Sequence, residues 1–389
     1  MNRRNALALL AAAPFPALAQ GGPEWRVGAL FPLSGSAALL GDEAARGLEL
    51  AVDERNAAGG RPVRLLRADV TEPAQALAEA RRLIQQERAV LLFGSVSAPV
   101  GQAAIQAAES LETPFFELAA AADSLTERGA RYLIRTAPRA ADFGTLGVEV
   151  LTRFLPAHLG QPVDSMRVAL LHEASATSES IAIALEAQLK EAGLSVTERL
   201  SHAPRTAEMP AMVQRLRAAG VNVLIHAAAE GDAISLFRAL AEAAWRPPVV
   251  IGAGLAWGLA ELARAVGPAL DSVFAMDVPP IETADRWATG ARPFAEAYQR
   301  RWGTPPRSGL SLATYTGAQV VLAQPNLERA PLRASLAALD QPEGSLPNGW
   351  GFRLDDRGQN TRARPVLLQW QAARPMAVYP PEAAAAGPV

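Results

Sequence analysis

The chain of 389 residues contains no cysteine. That absence excludes disulfides, thiolate metal sites, a cysteine nucleophile and a lipid-bearing N-terminal cysteine together. No run of about 18 apolar residues occurs after the first twenty positions, so the mature chain is expected to lack a membrane-spanning helix. Neither sign of charge dominates: 37 Lys and Arg stand against 39 Asp and Glu, a formal net charge of −2. This balance carries no footprint for nucleic acid or an anionic membrane surface. Catalytic signatures are missing too: there is no HExxH, EF-hand loop, GxSxG elbow or Walker A sequence. The four histidines, His158, His172, His202 and His226, show no metal-ligand spacing and are expected at strand ends and surface loops. No enzymatic activity, metal or cofactor is expected.

What is present begins with an export signal. Arg3 and Arg4 form a basic start, Ala6 to Ala13 an apolar stretch too short to span a bilayer, and Ala17-Leu18-Ala19 a small-x-small cleavage site. Residues 1–19 are therefore expected to be a cleaved signal peptide, exported by the general or the twin-arginine route. The full sequence is 50% hydrophobic, with room for two cores beyond the leader.

Strand and helix patterns alternate along that chain. Strands are expected at Trp25 to Phe31, Val63 to Ala68, Ala89 to Phe93 and Pro114 to Leu118. Helices are expected at Gly41 to Asn56, Pro73 to Glu87 and Gly101 to Leu111. A second series starts near residue 145, with strands at Arg167 to His172, Leu194 to Leu200, Val221 to Ala227 and Pro248 to Ile251. Its helices are Glu179 to Ala192, Met209 to Ala219 and Gly231 to Ala244. Such alternation predicts an α/β fold built on two doubly wound parallel sheets. Pro293 to Gln324 reads as helical, Gly349 to Gln371 as strands around the Asp355 to Gly358 turn, and 376–389 as a frayed tail.

Two further features bear on chemistry. Gly252-Ala253-Gly254 after an apolar run, with Asp277 at the end of the next possible strand, resembles half of a dinucleotide fingerprint. Trp257 stands at the third glycine position, where helix and strand must pack closely, and defeats the motif. The pair Asp42-Glu43 reads as an exposed helix start, explained by capping and the helix dipole.

The first fifty mature residues are distinctive. Pro32-Leu33-Ser34-Gly35 leads to Gly41-Asp42, then Gly47-Leu48-Glu49-Leu50-Ala51-Val52 and Asn56-Ala57-Ala58-Gly59-Gly60. This resembles the opening of the branched-chain amino-acid-binding (Leu/Ile/Val-binding) family of periplasmic solute-binding proteins of ATP-driven importers. Gly94-Ser95-Val96-Ser97, Pro114-Phe115-Phe116 and Tyr132 to Pro138 are similar to later segments of that family, and the likeness runs from about residue 24 to 371. The resemblance implies a type I periplasmic binding protein, with two lobes joined by three hinge crossovers and a ligand between them. It places 24–139 with 278–340 in the first lobe, and 140–277 with 341–375 in the second.

The resemblance also implies site positions. The family's α-amino-acid clamp uses hydroxyls and backbone N–H groups at the carboxylate and an acid at the ammonium. Here the serine expected after Ser97 is Ala98, and the loop threonine is replaced by Ala121 within Ala119, Ala120 and Ala121. The second-lobe aromatic falls at Thr177 and the acid at Gly254. The cleft is then expected to be lined by Leu40, Ala98, Ala119, Ala120 and Ala121, with Ser95, Ser97, Ser175, Thr177 and Glu230 as the polar groups. Ser95 and Ser97 alternatively cap a helix, and Glu230, where the family often has an aromatic, is alternatively solvated. Trp257 either stacks on a flat ligand or packs beneath its loop. A buried ammonium without an acid costs several kcal/mol, so a small organic solute other than a standard α-amino acid is expected. The partners implied are that solute and a membrane permease, with the protein acting as a monomer in the periplasm. A ligand sensor for a membrane receptor kinase is the alternative.

Overall fold

Short apolar runs set the strands. Leu91–Gly94 is buried along its whole length, as a strand covered on both faces must be. The computed structural model describes residues 24–389; the leader expected over 1–19 lies outside the described residues. The first sheet is formed by β1 (Trp25–Phe31), β2 (Val63–Asp69), β3 (Leu91–Gly94), β4 (Phe115–Glu117) and β5 (Leu133–Arg135). All are parallel, in the order β2-β1-β3-β4-β5. Helices α1 (Ala38–Ala57), α2 (Pro73–Gln85), α3 (Ala98–Ser110) and the single turn α4 (Ser124–Glu127) connect them.

The second sheet holds β6 (Val168–Glu173), β7 (Val196–His202), β8 (Val223–Ala227), β9 (Val249–Ala253) and β10 (Phe274–Asp277), with β11 (Val366–Gln371) and β12 (Arg374–Tyr379) at one edge. Its order is β12-β11-β10-β9-β8-β6-β7, parallel from β7 to β10 and antiparallel through β11 and β12. Around it lie α5 (Ala140–Glu149), α6 (Leu155–Leu159), α7 (Ala176–Glu191), α8 (Met209–Ala218), α9 (Glu230–Glu242) and α10 (Ala260–Val266). The turn Val150–Phe154 between α5 and α6 is π-helical. The chain then returns to the first sheet as α11 (Ala291–Trp302), α12 (Leu310–Leu322) and α13 (Arg329–Ala337). It passes between the sheets three times: after Arg135, after Asp277, and between Asn360 and Val366. Among the described residues no helix is long and apolar enough to cross a membrane.

Each sheet is covered on both faces. In the first, Val27, Phe93 and Phe116 pack with Leu48, Leu312 and Val321 of α1 and α12, while Leu30, Leu92 and Phe115 pack with Ala80, Ala104 and Ile105 of α2 and α3. In the second, Leu170 and Ile225 meet Ile181 and Leu185 of α7, while Leu171 and Leu224 meet Leu236 of α9. The helix leaving β1 and the helix leaving β3 thus lie on opposite faces, as do those leaving β6 and β8. These are the topological switch points, and the crevices outside them are where open α/β sheets bind ligands. Gly41 makes the first crevice possible: a Cβ there would stand 1.7 Å from the Pro32 carbonyl oxygen, so only glycine lets α1 start so close to β1.

Two expectations about the C-terminal part are corrected. Residues 341–360, assigned to the second lobe, pack on the first. Trp350 and Phe352 belong to the core of Trp25 and Phe31, and Gln359 bridges beside Arg135. The reason is that the Asp355 to Gly358 turn carries the chain along the open edge of β5 before the third crossing. The tail 376–389 is not frayed either. Met376 to Tyr379 complete β12, Ala383 is fully buried, and Val389 exchanges two hydrogen bonds of 2.9 Å with the Gln369 side chain.

Candidate functional site

The crevice loops are held from beneath by two buried ionic side chains that sequence reasoning missed. Glu117 ends β4 fully buried. Its carboxylate accepts from Ser95 N (2.7 Å), Ser95 Oγ (2.9 Å), Ala119 N (3.0 Å) and Ala120 N (2.8 Å). Burial raises its pKa, opposed by those same donors. Arg135 ends β5 and donates to the carbonyls of Ala120 (3.3 Å) and Ala122 (2.7 Å), to Thr126 Oγ1 (2.8 Å) and to Gln359 Oε1 (2.6 Å). Burial brings its pKa down to about 10. The all-alanine loop therefore owes its shape to groups below it, and its backbone is positioned without any polar side chain of its own. Glu117 was legible as the single charge in the apolar run Pro114 to Ala122.

The placement of the expected residues is mixed. Ser95 is buried and spends its hydroxyl on Glu117 and the Ser97 carbonyl, so it neither caps a helix nor faces a ligand. Ser97 stands at the N-cap position of α3, half-buried, and its side chain makes no cap bond. Ala98 and Ala120 point into the core of α2 and α3, and Ala119 into the core of α1 and α12, because successive residues leaving a strand turn to alternate faces. Those three do not line the crevice with their side chains. Ala121 does reach across, packing with the second-lobe core. Leu40, in the first turn of α1, is partly buried against the first-lobe core.

On the second lobe, Ser175 and Thr177 sit half-buried at the start of α7, Ser175 at its N-cap without a cap bond. Glu230 opens α9, half-buried, and no hydrogen bond or ion pair to its carboxylate occurs among the described residues. Burial and the nearby Glu261 raise its pKa. Gly254 has φ +103, a conformation that excludes an acidic side chain there without strain. Trp257 is corrected outright: its indole is fully buried in the outer core, edge-on to His226 (ring centroids 5.6 Å) and Phe237 (6.2 Å), and it covers Gly252. It packs beneath the loop and offers no face to a ligand.

Two further readings change, and Asp277 gains a setting. Glu43 is not an exposed helix start but fully buried, accepting from Ser311 Oγ (2.7 Å), Tyr298 OH (2.9 Å) and Arg307 N (2.9 Å). His172, His202 and His226 are at strand ends but buried rather than on surface loops, with His202 Nε2 and His226 Nε2 3.2 Å apart. Asp277, at the end of β10, is buried; the Val278 and Gly258 N–H groups meet its carboxyl, and burial raises its pKa to about 8.

The lobes touch across the crevice. Asp123 N donates to Ser180 Oγ (3.2 Å), Ala260 N donates to the Arg307 carbonyl (2.9 Å), and Leu255 of the β9 loop packs against the first-lobe core. Two doubly wound lobes with a crevice between their switch points agree with the comparisons with known proteins. The family described as "Periplasmic binding protein" matches residues 24–373. The chain belongs to the periplasmic binding protein family. It is 36% identical to the "Leu/Ile/Val-binding protein homolog 7" of Brucella abortus, over 98% of both chains. Its fold is that of the branched-chain amino acid transporter substrate-binding protein LivJ from Streptococcus pneumoniae in complex with isoleucine (TM-score 0.79, 18% identity, 91% of this chain and 98% of that one). It is likewise that of an R. palustris solute-binding protein of an ABC transporter in complex with benzoate (TM-score 0.75, 20% identity, 94% and 97%). This chain is thus a periplasmic binding protein, and its family implies a periplasmic location.

Proposed function

We propose that this periplasmic binding protein captures a small organic solute other than a standard α-amino acid, and presents it to a membrane permease. The carrying observation is Gly254. Where an amino-acid clamp needs an acid against the ammonium, this chain has a glycine in a left-handed conformation. The first-lobe loop adds to the reading, since Ala119 to Ala122 provide only backbone groups and four of those eight are already bonded to Glu117 and Arg135. Solved structures of similar fold include isoleucine and leucine complexes as well as benzoate and hydroxybenzoate complexes. The missing acid at Gly254 favours the second kind: a solute with a carboxylate or hydroxyl for Ser97 and Thr177 and no ammonium.

Capture is by hinge closure, and no bond in the solute is made or broken. Protein purified without refolding from its own host and sprayed under native conditions should release a small molecule that is not leucine, isoleucine or valine. Release of one of those three would contradict the proposal.

A further inference from the structure

One contact between the lobes is built differently from the rest. Arg307 precedes α12 on the first lobe. Its backbone N–H is held by buried Glu43 (2.9 Å), and its Nη1 by Asp42 Oδ2 (2.6 Å), itself paired with Arg46 at 3.0 Å. The guanidinium is thereby ordered within its own lobe. Its remaining edge faces the second lobe, where Nε lies 3.3 Å from Glu261 Oε1 and the carbonyl takes the Ala260 N–H at 2.9 Å. We propose that Arg307 is a fixed post on which the second lobe closes, its ion pair with Glu261 holding a closed population before any solute binds.

The energetics favour such a role. An exposed ion pair gains little, largely because two long side chains must be ordered to make it. Here one partner is ordered in advance, and both are mostly buried, with side-chain exposures of 26% for Arg307 and 17% for Glu261. Opening does not strand Glu261, because Arg264 on its own helix lies 3.2 Å from the same oxygen. Glu261 exchanges one arginine for two as the lobes meet. One feature opposes the closed form: Glu261 Oε2 is buried without a partner. The balance gives a population rather than a lock.

Because the chain has no cysteine, two can be introduced for spin labels. Exposed Ala74 on α2 and Ala211 on α8 stand on opposite lobes. With A74C and A211C labelled, pulsed electron–electron resonance on ligand-free protein should show a long and a short distance. Arg307→Met should shrink the short-distance population about fivefold relative to the long one. Glu261→Gln, altered on the other lobe, should shrink it too and carries the test alone if R307M does not fold. The double variant should go no further than either single one. A wild type without the short distance, or a short-distance population unchanged in E261Q, would overturn the proposal.

Discussion

Four acceptors converge on the guanidinium of Arg135, and none of them is a carboxylate. Truncating it to methionine removes a charged donor from two loop carbonyls, Thr126 and Gln359, all neutral acceptors. Arg135→Met should therefore lower the unfolding free energy by about 3–5 kcal/mol, since each buried acceptor left unpaired costs about 1–3 kcal/mol, read as a shift of the urea midpoint. A second residue carries a pH dependence. His226 is fully buried beside His202, and burial holds its pKa well below the ordinary 6.5. As pH falls below that ordinary value, the unfolded chain takes up a proton that the folded one cannot, so stability is lost toward acid. Chemical denaturation of wild type and His226→Gln at pH 7.5 and 5.0 should show the smaller acid loss in the variant. The difference should be at most about 1.4 kcal/mol per pH unit; equal losses would contradict it. At this scale little was legible. A sequence prints Glu43 as one more charge near a helix start, whereas Glu117 stands out as the single charge in an apolar run. Only the fold shows that the donors for Glu43 come from Tyr298, Arg307 and Ser311 on distant segments.

Elements were far more readable, because the period of apolar residues reports directly on burial. The expected strand Trp25 to Phe31 matches β1, and the helix expected at Met209 to Ala219 ends one residue earlier, at Ala218. Errors gathered where an element's place depends on partners remote in sequence. Residues 341–360 carry no periodicity that says which lobe they serve, and their bridge to Arg135 decides it. An Ala/Pro-rich tail reads as frayed, yet Ala383 is seated in the core and the terminal residue is bonded to Gln369. Deleting residues 380–389 should accordingly lower the thermal midpoint, at a cost of about 1–3 kcal/mol for the lost packing and unpaired amide. A deletion with the wild-type melting curve would restore the frayed reading. Trp257 failed differently: its identity suited both stacking on a ligand and packing in a core, and only its burial against Gly252 separates the two.

The whole molecule is two switch-point crevices brought face to face by three chain passages, with ionic groups beneath the loops and Arg307 bridging the gap. That plan was visible in the doubled α/β pattern and in the motif from Pro32 to Gly60, where Gly41 meets the Pro32 carbonyl. The ligand class is the finer claim, and it rests on the missing acid at Gly254. Titration calorimetry of leucine, isoleucine and valine into refolded, ligand-free protein tests it most directly. No binding in the micromolar range or tighter is predicted for any of the three; micromolar binding of even one would contradict the account.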